Sequence, residues 1–156
     1  MSHQLLRLAA LDEEDLAVIS AHAQDAIVRV GDIRYFRATG LFALLCRRFD
    51  RSGGGRQPAS RCLASLEFRR VLRVRTRAVD PAEGTAVLSL LAITFAASRL
   101  PPEGMIELTF AGGGSIRLAV ECIEVSLRDL GPRWQARRTP RHDTSPPGER
   151  DDGSLA

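Results

Sequence analysis

At 156 residues, 44% of them hydrophobic, the chain has the length and apolar content of one globular domain that builds its core without disulfides or metal. All 22 basic residues are arginine, so lysine-based nucleophilic and Schiff-base chemistry is excluded. Against 19 acids the arginines leave a net charge of +3, and three cysteines and three histidines are scattered, with neither CxxC nor zinc-site spacing.

The opening "MSHQLLRLAALDEED" breaks its apolar run at Arg7 and follows it with four acids, unlike a secretory signal. The charge-free stretch 84–98 falls short of the roughly 20 residues a spanning helix needs. A cytoplasmic protein without a membrane partner is expected. Asp12 is a good N-cap with acids behind it, where the helix dipole favours them, and predicts a helix over about 13–24 that buries Leu16, Ile19 and Ala23. Strands are expected near 27–36, 41–49 and 62–77, interrupted by the turn-rich loop 51–60, "RSGGGRQPAS". Asp80, Pro81 and Glu83 then repeat the signals of a helix start, for a second and shorter helix ended by Gly84 and the β-favouring "VLSLLAITF". Further strands are expected near 87–96, 105–111 and 115–127.

Within the last pair, "FAGGGSIRLAVECIEV" has the glycines of a phosphate loop without its lysine or its following helix. Ile116, Leu118, Val120 and Cys122 alternate with Arg117, Ala119 and Glu121, and Ile106, Leu108 and Phe110 alternate on the other side. Period-two runs around glycines make a hairpin. After Gly131 the chain is rich in proline and charge, so 133–156 is expected to form a disordered arginine- and proline-rich tail, with Trp134 as a candidate docking residue.

The halves resemble each other: "ALDEEDLAVIS" and "AVDPAEGTAVLS", "GLFALL" and "GMIELT", and "VLRVRTRAV" and "CIEVSLRDL" recur in the same order. The expected fold is therefore α+β, a duplicated helix-plus-antiparallel-strands unit (about 10–79 and 78–130) forming one β-rich domain over 1–132 with pseudo-twofold symmetry and one shared core.

Charge is segregated along the chain, with ten arginines against two acids in 47–77 and three against seven in 78–132. In "LEFRRVLRVRTR", Leu66, Phe68, Leu72, Val74 and Thr76 are expected on one face and Arg69, Arg73, Arg75 and Arg77 on the other. Such a row binds phosphates, or pairs across strands with acids such as Glu107, Glu121 or Glu124. No aromatic residue interleaves with it as a stacking module for single-stranded nucleic acid would require.

The stretches "ALDEEDLAVISAHAQDAIVRVGDI", "RRFD", "VLSLLAITF", "LTFAGGGSIRLAVECIE" and "GPRW" together resemble an alphaproteobacterial family, the domain of unknown function 2948, over about Leu5 to His142. The resemblance implies no chemistry. Where that family tends to read "NRFDW", this chain has Arg47 and Arg51 in place of the asparagine and tryptophan, while Arg48, Phe49 and Asp50 match. Arg48 and Asp50 stand at a strand end beside a loop, where binding residues gather, or form a hairpin-end ion pair.

Three readings of function stay open. The preferred one is a non-enzymatic interaction protein, with a protein partner or a second copy of itself, no cofactor and no catalytic residues. The second is nucleic-acid binding through Arg69, Arg73, Arg75 and Arg77. The third, an enzyme or small-ligand protein, needs a pocket that gathers Arg48, Asp50, Glu121 and Cys122.

Overall fold

The computed structural model describes residues 5–50 and 60–135. The expected loop at 51–60 lies outside them apart from Ser60, and so does the expected tail 133–156 apart from residues 133–135, which continue the last strand instead of being disordered.

Asp12 caps the only helix among the described residues, α1 (Glu13–Ala23), through a 2.8 Å bond from the Asp15 N–H to its Oδ1. Leu16, Ile19 and Ala23 are buried, at the spacing that puts them on one face. Around it are nine strands: β1 (Arg7–Ala10), β2 (Ile27–Phe36), β3 (Leu41–Asp50), β4 (Ser60–Phe68), β5 (Val71–Arg77), β6 (Val87–Ala97), β7 (Gly104–Phe110), β8 (Ser115–Val120) and β9 (Val125–Gln135). They form one sheet in the order β1-β9-β4-β3-β2-β6-β7-β8-β5, and each neighbouring pair is antiparallel.

The expected α+β fold of two helix-plus-strands units about a pseudo-twofold axis is overturned. The fold is β-rich, with one short helix and a single large sheet. No second helix forms at Asp80; its carboxylate accepts from the Ala82 N–H at 2.9 Å and its carbonyl from the Glu83 N–H at 3.0 Å, which closes a turn. Nor does either unit keep its own strands. β2-β3-β4 and β6-β7-β8 are meanders, but β5 pairs with β8 and β9 pairs with β4, so each half ends beside the other.

The strand expected over 62–77 is two strands. It breaks at Arg69 and Arg70, where Arg70 takes the left-handed φ of 64° and the chain leaves β4 for the far end of the sheet. A bulge between Val71 and Arg73 then shifts the parity of β5. Val71 is buried and Leu72 is 53% exposed, against the expectation that Leu72 packs inward. The other residues expected in the core are there, Val74 only at its edge, in one cluster drawn from both halves. Phe42 and Phe68 face each other across β3 and β4 with ring centroids 5.9 Å apart.

The glycine stretch is a hairpin turn between β7 and β8. Gly112 and Gly113 have φ of 91° and 101°, and the Phe110 N–H donates to the Gly114 carbonyl at 2.9 Å. Strand β1, unforeseen in the sequence, is four residues added beyond β9. α1 lies against β6, β1 and β3, and its Ser20 hydroxyl accepts the Ile93 N–H at 2.9 Å beside a bulge in β6.

Candidate functional site

The residues singled out in the sequence fall in two places. Arg48, near the end of β3, points into the protein and is 2% exposed. Its Nε and Nη2 donate to the two carboxylate oxygens of Asp129 on β9, at 2.8 and 2.9 Å. Asp129 also accepts the Leu6 N–H at 2.8 Å, while its own N–H donates to the Leu6 carbonyl, so this carboxylate ties the start of the chain to β9. The hairpin-end pair of Arg48 with Asp50 is replaced by this bidentate one; Asp50 closes β3 opposite Ser60.

Burial alone would push the Asp129 carboxyl up, but the hydrogen bonds from Arg48 and Leu6 and the Arg48 charge outweigh it and hold it below the usual carboxylate range. Cys46 and Cys62 lie on the same side of β3 and β4 and are buried. Burial pushes the Cys46 thiol up to about 12, with Asp129 and Cys62 adding to it against the opposing pull of Arg48. Burial raises Cys62 also. Thiols held this firmly protonated are poor nucleophiles. The cluster holds strands together and offers no reactive group.

Glu121 and Cys122 follow β8, at the Phe68 end of β9. Arg48 pairs with Cys62 at the other end, six residues or roughly 20 Å along the sheet. The structure therefore does not gather Arg48, Asp50, Glu121 and Cys122. Among the described residues no three His, Cys, Asp or Glu side chains are placed to hold a metal ion.

The second place is the outer face of β5 and β8. Arg73, Arg75 and Arg77 are exposed, and no acid among the described residues pairs with them. Arg69 is not part of this row. It lies in the break after β4 and bonds Glu67 at 2.8 Å. The acids proposed as a cross-strand ladder serve other arginines: Glu121 and Glu124 hold Arg70 at 3.2 and 3.4 Å, and Glu107 holds Arg117 at 3.4 Å. Arg75 stands directly opposite Arg117 in the β5–β8 register. Like charges facing each other in an antiparallel pair are unfavourable. Among the described residues β5 is the last strand of the sheet, paired only with β8. Sequence reasoning missed Arg117, whose alternation marked its face but not its neighbour, and Asp129, for which no local signal exists.

A family model described as a protein of unknown function, DUF2948, matches residues 6–142. The chain belongs to the DUF2948 family. No curated protein and no solved structure matches it. Membership in DUF2948 supplies no activity, so function has to be argued from the surface just described. No helix among the described residues is long and apolar enough to cross a membrane.

Proposed function

We propose that the protein is a non-enzymatic interaction protein that binds an acidic segment of a partner protein across the outer face of β5 and β8. The observation that carries this reading is the row Arg73, Arg75 and Arg77 on an edge strand, with Arg75 opposite Arg117 and, among the described residues, only Glu107 paired with any of the four. Two facing arginines that share one carboxylate, Glu107, leave the face short of counter-charge. An anionic partner laid across this outer face supplies that charge. The face lacks aromatic side chains, with Ala119 and Ser115 standing opposite Arg73 and Arg77, which favours carboxylates over stacked bases.

The test is a titration with a polyglutamate peptide and, separately, a single-stranded oligonucleotide, against the wild type and the triple variant Arg73→Ser, Arg75→Ser, Arg77→Ser. The peptide is expected to bind, more weakly as salt rises, because exposed charges are screened beyond about 10 Å at about 0.1 M salt. The triple variant is expected to lose that binding. Equal affinity in the variant, or binding of the oligonucleotide alone, would overturn the reading.

A further inference from the structure

Three strands separate β2 from β5 in the sheet, yet side chains from both line one cavity of about 250 Å³. The sheet therefore curls back until β5 stands over β2, without closing into a barrel. The gap is pinned at both ends. At one, the Val71 N–H donates to the Gly40 carbonyl at 2.9 Å, and the Tyr35 hydroxyl donates to the Val71 carbonyl at 3.4 Å. At the other, the Gly31 N–H donates to the Gly84 carbonyl at 2.8 Å, bringing the turn after β5 onto β2. Between the pins neither strand pairs with the other.

The cavity walls are apolar, built from Val30, Ile33, Phe42, Val74, Val79 and Ile116. Its polar groups are few. Arg34 and Thr76 both line it and are both exposed, so the cavity opens between them. Arg34 is held in place: its Nη1 donates to the carbonyls of Gly31 at 2.6 Å and Ile33 at 3.0 Å. Both Nη1 protons are thereby used, and the Nε and Nη2 protons meet no carboxylate among the described residues. A guanidinium fixed in this way presents a planar fork suited to a carboxylate.

The geometry points to a binding site for a small monocarboxylate with an apolar body, its hydrocarbon between β2 and β5 and its carboxylate on Arg34 and the Thr76 hydroxyl. The volume lies just under the roughly 300 Å³ at the low end of ligand pockets, so the ligand is a short one. With one fixed cation and apolar walls, the site does not suit a polyphosphate. It is separate from the arginine face, which lies on the outer side of β5.

The probes are octanoate and its uncharged counterpart octanol, followed by calorimetry and by amide chemical shifts. Octanoate is expected to bind the wild type and to shift the amides of Ile33, Val74 and Thr76. Arg34→Leu, a change at an exposed side chain, is expected to weaken octanoate about ten-fold while leaving octanol unchanged, the loss of one charge-assisted contact. Val74→Phe should block both probes; Ile33→Phe gives a second obstruction if the first variant does not fold. The triple arginine variant of β5 should bind octanoate like the wild type, which distinguishes this site from the outer face. No octanoate binding, equal octanoate affinity in Arg34→Leu, or loss of octanoate in the triple variant would overturn the inference.

Discussion

At the residue scale, Arg48 and Asp129 form a buried pair that spans 81 positions of sequence. Removing one partner of a buried pair strands the other charge, so Asp129→Asn is expected to cost about 3–5 kcal/mol in denaturant unfolding. Replacing both, Arg48→Met with Asp129→Leu, should recover much of that loss. The carboxyl of Asp129 is held below its ordinary value in the folded chain. Its contribution is therefore fully present above the unfolded carboxylate pKa of about 3.9 and is lost as pH falls through the lower folded value. Unfolding curves measured down this range should show an acid-side loss that is smaller in the Asp129→Asn protein. Among the thiols, Cys122 is partly exposed while Cys46 and Cys62 are buried. A thiol reagent should titrate one cysteine in the native protein and three after denaturation; three fast thiols would contradict the burial. Residue type alone made Arg48 look like a surface binder, because a sequence shows a charge but not the acid that meets it from another strand.

The elements were legible where local physics decides them. Asp12 and the spacing of Leu16, Ile19 and Ala23 located α1, and alternation located most strands. The second helix failed for a local reason as well: Gly84 and the strand β6 leave too few residues after Asp80 to offset the cost of nucleating a helix. Gly84 instead packs against Gly31, and it is Gly31 that has to be glycine. A Cβ built on Gly31 would stand 2.9 Å from the Gly84 carbonyl oxygen, closer than real contacts allow. Gly31→Ala is expected to destabilise by about 1–3 kcal/mol, read as a lower unfolding midpoint, and an unchanged midpoint would show that the β2 crossing is loosely packed. The break between β4 and β5 carries neither glycine nor proline. It is set by the far ends those strands reach, so the sequence read as one continuous strand. β1 was equally silent, four residues whose strand character comes from β9.

At the scale of the whole molecule, the outcome turned on an exchange that no local pattern reports: β5 leaves its meander for β8, and β9 returns to β4. Matching stretches in the two halves suggested units that each keep their own strands; the shared core expected of them is present as one cluster drawn from both, but the strands are exchanged between the halves. A fragment ending at Ala78 would lack the strands that cover β4 and β5. It should be unfolded by circular dichroism, and a cooperative unfolding transition in that fragment would argue against the exchange. The same exchange carries the basic strand β5 to the edge of the sheet beside β8, where Arg75 meets Arg117 and no acid among the described residues pairs with Arg73, Arg75 or Arg77. The proposed interaction surface is thus a product of topology as much as of composition. It is tested most directly by mapping amide chemical shifts of the full chain during titration with polyglutamate at low salt. Shifts concentrated on Arg73, Arg75, Arg77 and Arg117 are predicted; shifts confined to other strands, or none, would contradict an acidic partner on this face.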